Sequence, residues 1–590
     1  LNGRAYNGVS LREMLNRRPD SSGTSDGYGE ARARYIRGES CAGLAGCSSF
    51  RVRTTKLGDI VGSSPVLVKD AQYLAYRAGT VDGTSSAYAS FQNSVASRAE
   101  TIYVGANDGM LHSFDTASGV ENFGFIPSAV IENLNKLTAP DYGGSSGTHQ
   151  YYVDGAPVVA DVYYDSGWHT VLVGSLGAGG REVFALDVTN PASPTLLWEF
   201  TNSNDGDLGY TIPAPKIVRL HSGQWAALIP NGYNGDNNAT GKAVLFLVDI
   251  KTGAVIRKLE ATSDTSGAIN SGSNGLSNVQ PADINGDGVV DYAYAGDLQG
   301  NLWRFDLLDT SSSSPFAKNT VSANTFKVAF GGNPLFVARD SSSRRQAITA
   351  APSLVKHPSS TGYIVTLGTG SYLNSADKSS TSMQSVYGVW DRKTAGEVTS
   401  TAPSRAINRA SMVAQTMLTQ QSFTAGGVVR PVRTVSQNDI SWYTSASGGN
   451  ADSNVATLGW YLDLNVSGAT ADGERVINDM RVYGDGLIFS TVTPNADPCA
   501  AGLTGFTYGI NPRTGGRTIY NVFDFNGDGS FDMSDALSGN TIISGYSTPA
   551  GGWTISNGQQ YFTDGTSVGV AAGMLSNGRQ NWRLVPKNAN

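Results

Sequence analysis

The chain has 590 residues, a formal net charge of −7, 71 glycines and only 15% charged residues. The acidic balance excludes a chain-wide basic surface of the kind that binds nucleic acid. No apolar run approaches the ~20 residues that a membrane-spanning helix needs, so we predict no membrane span. Abundant glycine and sparse charge favour short strands joined by tight turns.

The first part of the chain, residues 1–50, is predicted to be a lead-in segment. A weak helical pattern covers residues 11–17. Cys41 and Cys47 could close a short disulfide loop in an oxidising compartment, which would leave Cys499 unpaired. The sequence does not begin with a signal peptide, so we expect a mature product or a fragment of a longer protein.

A unit of about 50 to 80 residues recurs along the rest of the chain. Each copy contains a strand that follows a proline, an apolar run that ends in glycine, and a strand that ends in aspartate. These aspartates are Asp115, Asp187, Asp249, Asp306 and Asp391. Short strands that recur in a fixed order are typical of β-propeller blades. We therefore predict an all-β, modified seven-bladed, quinoprotein-like β-propeller over residues 51–590, with degenerate C-terminal blades and minor helical insertions, one of them at residues 127–137.

Two nine-residue stretches, the first loop (residues 283–291) and the second loop (residues 524–532), share the pattern D-x-N-x-D-G-x-x-D. Positions 1, 3, 5 and 9 supply side-chain oxygens, position 7 supplies a backbone carbonyl, and the glycine at position 6 allows a sharp turn. This EF-hand-like spacing suits Ca²⁺ better than Mg²⁺. The simpler alternative is a hairpin loop that binds no metal.

The second loop is followed by an acid at position 12, where an EF-hand places its bidentate ligand. The first loop has Tyr294 at that position. The predicted calcium ligands are Asp283, Asn285, Asp287, Val289 (carbonyl) and Asp291 for the first loop, and Asp524, Asn526, Asp528, Ser530 (carbonyl), Asp532 and Asp535 for the second.

The repeats are also similar to those of quinoprotein dehydrogenases, whose blades carry the motif A-x-D-x-x-T-G-x-x-W. Residues 185–187 with Trp198, and residues 248–253, match parts of that motif. A quinone site would also need vicinal cysteines, and this sequence has no adjacent cysteine pair. The sequence also lacks a nucleophile elbow, so we predict no enzyme. A quinoprotein-like dehydrogenase and a calcium-dependent lectin-type adhesin are the two alternatives.

Five segments together resemble the propeller domain of the PilC/PilY family of type IV pili. They are residues 51–53 with 57–65, 103–112, 153–157, 177–181 and 296–306. The resemblance extends from about residue 34 to residue 391 and thins afterwards. The family's regulatory calcium loop falls on the first loop, whereas the second loop is not assigned by the family pattern.

The resemblance implies the C-terminal domain of a secreted, extracytoplasmic protein that sits at the pilus tip. It implies roles in pilus biogenesis, in calcium-dependent control of extension, retraction and twitching motility, and in adhesion and virulence. Its expected partners are pilus tip or minor pilin components and a host-cell or surface ligand. Calcium is the one implied cofactor.

Overall fold

A computed structural model gives the fold of residues 5–573, except for residues 21, 74, 84–85, 145–148, 236–238, 263–273, 393, 395–406, 445–453, 496–503 and 550. Cys499 lies outside the described residues. The chain divides into two compact units, and the sequence-based division at residue 50 stays a prediction. Unit 1 comprises Leu1–Gln299 and Trp303–Pro334, and unit 2 comprises Gly300–Leu302 and Leu335–Asn590.

Unit 1 begins with a small hairpin and two helices. These elements are β1 Ala5–Tyr6, β2 Val9–Ser10, α1 Leu11–Asn16 and α2 Gly29–Ile36. The hydroxyl of Ser10 accepts a hydrogen bond from the N–H of Glu13 (3.2 Å) and so caps α1. The helical pattern predicted at residues 11–17 is therefore confirmed. Cys41 and Cys47 form the disulfide that their spacing allowed.

The next part of the chain alternates strands with short helices. The elements are β3 Val66–Val68, α3 Ala75–Asp82, α4 Ala87–Val95, β4 Thr101–Ala106, β5 Met110–Asp115, β6 Glu121–Phe125, α5 Ile131–Leu134, β7 Val158–Tyr164, β8 Gly167–Ser175, β9 Glu182–Asp187, β10 Thr195–Thr201, β11 Lys216–Arg219, β12 Trp225–Pro230, β13 Ala243–Asp249, β14 Val255–Ala261, β15 Leu276–Ala282, β16 Tyr292–Asp297, β17 Asn301–Asp306, β18 Lys327–Val328 and α6 Ala329–Gly332. The helix predicted within residues 127–137 is present as the short α5.

Strands β3 to β18 form four antiparallel sheets, each with four successive strands: β3–β6, β7–β10, β11–β14 and β15–β18. Each is the meander expected of a propeller blade. The last sheet has a fifth strand, Phe336–Val337, which pairs with Asn301 and Leu302 of β17. The predicted aspartates end the third strand of every sheet, in β5, β9, β13 and β17. Their chemistry explains the position, since Asp115 accepts the N–H of Ser118 (2.8 Å) and so closes the turn that follows β5.

Unit 2 contains the remaining strands. They are β19 Phe336–Val337, β20 Ser353–Lys356, β21 Tyr363–Gly368, β22 Ser385–Asp391, β23 Val413–Ala425, β24 Val428–Val435, β25 Gly459–Val466, β26 Arg481–Tyr483, β27 Gly486–Ser490, β28 Thr504–Ile510, β29 Phe523–Asp524, β30 Gly545–Pro549, β31 Trp553–Ser556, β32 Gln559–Phe562 and β33 Ser567–Val570. Ten of them form one sheet in the order β20-β21-β22-β25-β23-β24-β30-β28-β27-β26, and four form a second sheet in the order β29-β33-β32-β31.

The all-β class with few helices agrees with the prediction, but the described residues do not form a regular series of seven blades. The long hairpin β23–β24 causes the difference. Strand β22 pairs with β25 instead of with its sequence neighbour, and β25 pairs with β23 in parallel. These pairings join what would be separate C-terminal blades into one ten-stranded sheet.

The ten-stranded sheet contains a buried charge that the protein pairs fully. Glu474 accepts hydrogen bonds from Arg433, from the hydroxyl of Tyr508 (2.8 Å) and from the hydroxyl of Thr491 (2.6 Å). A buried acid is tolerated when its oxygens are paired in this way.

Candidate metal centres

The first loop joins β15 to β16 in unit 1. Ala282 and Tyr292, which flank it, face each other across the two strands. The N–H of Asp291 donates to the carbonyl of Ala282 (2.9 Å), and every residue of β16 is buried. Both ends of the loop are therefore held by the paired strands β15 and β16.

Inside the first loop, the side chains at positions 1, 3 and 5 accept hydrogen bonds from the loop's own backbone. Asp283 Oδ2 accepts from the N–H of Gly288 (2.7 Å). Asn285 Oδ1 accepts from the N–H of Asp287 (3.0 Å). Asp287 Oδ1 in turn accepts from the N–H of Val289 (2.9 Å). These bonds hold three predicted ligands within one tight turn.

Position 9 of the first loop lies in a buried polar pair. Asp291 Oδ1 lies 2.8 Å from His221 Nε2, and neither side chain has exposed surface. Asp291 Oδ2 accepts from the N–H of Ile284 (2.7 Å), while His221 Nδ1 donates to the carbonyl of Ala317 (2.8 Å). Burial lowers the pKa of His221. The hydrogen bonds to Asp291 and Ala317, together with the negative charges of Asp291 and Asp287, raise it by more, so the pKa lies above its ordinary value.

Two further basic side chains pair with the first loop. Arg77 Nη1 lies 3.3 Å from Asp283 Oδ2, and Lys318 Nζ lies 3.3 Å from Asp287 Oδ2. Sequence reasoning did not find these residues or His221, because no local spacing connects them to the loop. Arg77 is 206 positions away from its partner in the chain.

An open cavity of about 390 Å³ lies beside the first loop. Asp283 and Gly288 form part of its wall, together with Arg77, Tyr73 and Trp225. Any change in the charge or position of the loop therefore changes a surface that a ligand or partner can reach.

The second loop follows β29 in unit 2 and repeats the same internal hydrogen bonds. Asp524 Oδ2 accepts from the N–H of Gly529 (2.9 Å). Asn526 Oδ1 accepts from the N–H of Asp528 (3.0 Å), and Asp528 Oδ1 accepts from the N–H of Ser530 (2.7 Å). The shared pattern D-x-N-x-D-G thus gives both loops the same local structure.

Positions 9 and 12 of the second loop have different roles in the structure. The exposed Asp532 accepts the N–H and the hydroxyl of Ser534 (both 2.8 Å), and so caps the 3-10 turn Met533–Asp535. Asp535 is 1% exposed, and its Oδ1 accepts from the N–H of Phe525 (2.7 Å). Its Oδ2 is buried and has no hydrogen-bond partner among the described residues. Burial raises the pKa of Asp535 above the ordinary carboxyl value.

The donor chemistry of both loops fits a hard cation. Among the described residues, no three His, Cys, Asp or Glu side chains are grouped closely enough to hold a metal ion. The carboxylates repel one another, and each accepts backbone N–H groups. Carboxylates, an asparagine amide and a position-7 carbonyl are nevertheless the ligands that Ca²⁺ prefers. The ligand roles of these residues stay predictions.

Comparison with known proteins shows what the chain is similar to. The profile of the PilY1 beta-propeller domain matches residues 57–426. The chain is 46% identical to the type IV pilus biogenesis factor PilY1 of Pseudomonas aeruginosa strain UCBPP-PA14 over 593 residues, which cover 98% of this chain and 50% of that protein. A PilY1 homolog of Xylella fastidiosa strain Temecula1 is 38% identical over 505 residues, which cover 83% of this chain and 31% of that protein. The chain thus spans half or less of the length of these relatives.

A solved structure is similar as well. The crystal structure of the C-terminal domain of Pseudomonas aeruginosa PilY1 matches with a TM-score of 0.72 and 42% identity, covering 86% of this chain and 99% of that one. The similarity therefore holds for the fold as well as for the sequence. None of the helices in the described part of the chain has the length and apolar character needed to cross a membrane.

Proposed function

This chain belongs to the PilY1 β-propeller family, and we propose that it is a calcium-binding, non-enzymatic domain of a type IV pilus biogenesis factor. It would act outside the cytoplasm at the pilus tip, in contact with tip or minor pilin components. The observation that carries the proposal is the position of the first loop inside the family-matched residues 57–426.

In the proposed site, the side chains of Asp283, Asn285 and Asp287 and the carbonyl of Val289 bind Ca²⁺, with Asp291 as the fifth predicted ligand. The loop's own hydrogen bonds keep these groups close together, which lowers the ordering cost of binding. When bound, Ca²⁺ supplies positive charge that offsets the clustered carboxylates. The pair of Asp291 with His221 anchors the C-terminal end of the loop to the buried base of the sheet.

Arg77 and Lys318 connect the proposed site to the surface of unit 1. Each already pairs with a predicted ligand, at 3.3 Å in both cases, so Ca²⁺ competes with them for the same oxygens. Arg77 also lines the cavity beside the loop. Ca²⁺ binding would therefore change the charge of an accessible surface, a local event that can switch partner contacts.

We infer that this switch controls pilus extension and retraction, and hence twitching motility. The same domain would contribute to surface or host-cell adhesion and so to virulence.

The test introduces Asp287→Ala into the full-length protein in its own bacterium and measures twitching with and without added calcium. Isothermal titration on the purified chain gives the affinity of the first loop. We expect weaker calcium binding and twitching that no longer responds to calcium. The matched control is Asp309→Ala, which removes an aspartate whose carboxylate bonds to Ser311 in a turn of the same unit. Normal calcium-dependent twitching in Asp287→Ala would contradict the proposal.

The two alternatives predict different observations. A quinoprotein-like dehydrogenase would show dye-linked alcohol oxidation after addition of pyrroloquinoline quinone and calcium. The absence of an adjacent cysteine pair in the sequence speaks against it. A lectin-type adhesin would bind to a glycan array and would release the glycans on chelation of calcium.

A further inference from the structure

One carboxylate oxygen next to the second loop is buried without a partner. Oδ1 of Asp535 accepts the N–H of Phe525 (2.7 Å), but Oδ2 has no hydrogen-bond partner in the part of the chain that the structure describes. Burying an ionised carboxylate without a partner is costly. Unit 2 pairs its buried Glu474 with Arg433 and Tyr508. Both carboxylate oxygens of Glu474 therefore have hydrogen-bond partners, whereas Oδ2 of Asp535 has none among the described residues.

The side chains around Asp535 add negative charge. Asp524 is also buried, at 6% exposure, and Asp528 and Asp532 lie in the same loop. None of the four aspartates forms an ion pair with a basic side chain of the described residues. Ion pairs that unit 2 forms elsewhere include Arg344–Asp340, Arg409–Asp463, Arg433–Glu474 and Arg513–Asp485. No basic side chain of the described residues therefore offsets the negative charge of the second loop, and a cation from solution would do so.

We propose that the second loop is a Ca²⁺ site that is completed by Asp535 and is independent of the first loop. On binding, the ion would draw together the side chains of Asp524, Asn526 and Asp528, the carbonyl of Ser530 and Oδ2 of Asp535. In this structure the three carboxylates are not yet grouped closely enough to hold an ion. Five oxygen donors that combine carboxylate, amide and carbonyl groups suit the flexible coordination of Ca²⁺ better than the strict octahedron of Mg²⁺. The site does not rest on the function proposed for the first loop.

Asp532 positions the site and does not bind the ion in this arrangement. Its carboxylate caps the turn Met533–Asp535 through Ser534, and that turn carries Asp535 back to the start of the loop. Asp532 was predicted from spacing to be a ligand. We assign it a positioning role, because both hydrogen bonds at its Oδ1 come from Ser534 in the turn, whereas those accepted by Asp524 and Asp528 come from within the loop.

The ion would join β29 to the turn that follows the second loop. Strand β29 pairs with β33 through Phe523 and Val570, and the ring of Phe525 packs against Phe423 and Tyr546, at centroid distances of 5.6 and 5.3 Å. Ca²⁺ held between Asp524 and Asp535 would fix this aromatic cluster. We therefore expect the ion to stabilise unit 2.

The experiment uses the full chain with Asp287→Asn as background, which weakens the first loop. Isothermal titration with CaCl₂ should show one remaining site, and adding Asp535→Asn should weaken it by at least about tenfold, since affinity follows ligand charge. Thermal unfolding adds a readout that a merely structural role would not produce. In EGTA, Asp535→Asn should unfold at the same or a higher temperature, because it removes an unpaired buried charge. In calcium, it should lose the rise in unfolding temperature that the background variant shows.

A second variant and a control complete the test. Asp528→Asn changes an exposed ligand and leaves the core intact, so it should weaken binding without loss of fold. Asp564→Asn changes an exposed aspartate that bonds to Thr566 in another turn of unit 2, and should bind as the background does. The proposal is wrong if the background binds no calcium, or if Asp528→Asn and Asp535→Asn both bind as tightly as it does. The first loop is tested separately with Asp535→Asn in the otherwise unchanged chain. If only the proposal for the second loop is wrong, this variant should still bind calcium at the first loop.

Discussion

The first and second loops share three internal hydrogen bonds and a positive φ at position 6, but they have different electrostatic surroundings. In both, the carboxylate at position 1 accepts the N–H of the glycine at position 6, and this glycine has a positive φ, 88° at Gly288 and 81° at Gly529. Three basic side chains, Arg77, His221 and Lys318, pair with the first loop. No basic side chain of the described residues pairs with the second loop.

This difference shows that the D-x-N-x-D-G-x-x-D pattern sets the shape of a loop but not its dependence on a metal. At the first loop, the protein offsets part of the acidic charge itself, so a bound ion must compete with side chains. At the second loop, the ion would supply positive charge that no basic side chain of the described residues provides. We therefore expect calcium to act as an exchangeable signal at the first loop and as a structural ion at the second.

The largest effect is expected from Asp291→Ala in the first loop. The change leaves the buried Nε2 of His221 and the N–H of Ile284 without their carboxylate acceptor, and each buried donor left unsatisfied costs about 1–3 kcal/mol. Chemical denaturation should show this loss of unfolding free energy, with hydrogen exchange of β15 and β16 as the local readout. The loss should be present with and without calcium, because it arises from the protein's own pair.

A double substitution separates the pair from other causes. If the cost comes from the unpaired His221, Asp291→Ala combined with His221→Ala should cost less than the sum of the two single changes. Strict additivity would contradict the pairing that we assign to Asp291 and would leave its role to metal binding alone.

The next effect compares the two position-6 glycines. Gly288→Ala and Gly529→Ala both force a left-handed conformation on a residue with a side chain, at a cost of about 1–2 kcal/mol. A Cβ at Gly288 would also lie 2.9 Å from the hydroxyl of Tyr73, whereas nothing lies within 4 Å of one at Gly529. Denaturation should therefore show a larger loss for Gly288→Ala. Gly552→Ala, which has open space and no positive φ, should change stability little, and equal losses at the two loops would contradict the comparison.

The parts of the fold that local chemistry determines could be predicted from sequence. The hydrogen bonds that the side chains at positions 1, 3 and 5 accept link residues at most five positions apart, so the motif alone specified them. The aspartates that end the third strands are also local signals. The pair of Asp291 with His221 spans 70 positions, and the parallel pairing of β23 with β25 joins strands that are not neighbours in sequence. Neither the Asp291–His221 pair nor the β23–β25 pairing corresponds to a local sequence pattern, so neither could be predicted from the sequence.

A smaller effect tests the competition at the first loop. Arg77→Gln removes one of the charges that compete with Ca²⁺, and a partly exposed ion pair contributes up to about 1 kcal/mol. Calcium affinity in isothermal titration should therefore rise by up to about fivefold, while the second loop is unaffected. Lys251→Gln removes a lysine that pairs with Asp165 in the same unit and serves as the control. Weaker calcium binding in Arg77→Gln would mean that Arg77 supports the site.

The smallest effect concerns Asp532 and decides between its two roles. If Asp532 caps the turn Met533–Asp535, Asp532→Asn should bind calcium like the wild type, because asparagine caps as well as aspartate. Asp532→Ala should then weaken the second loop only a few-fold, since Asp535 loses part of its support. If Asp532 is a ligand, as its position 9 spacing predicts, both changes remove a charged oxygen, and Asn should weaken binding nearly as much as Ala. Calcium titration of the two variants in the Asp287→Asn background therefore distinguishes a residue that caps the turn from one that binds the ion.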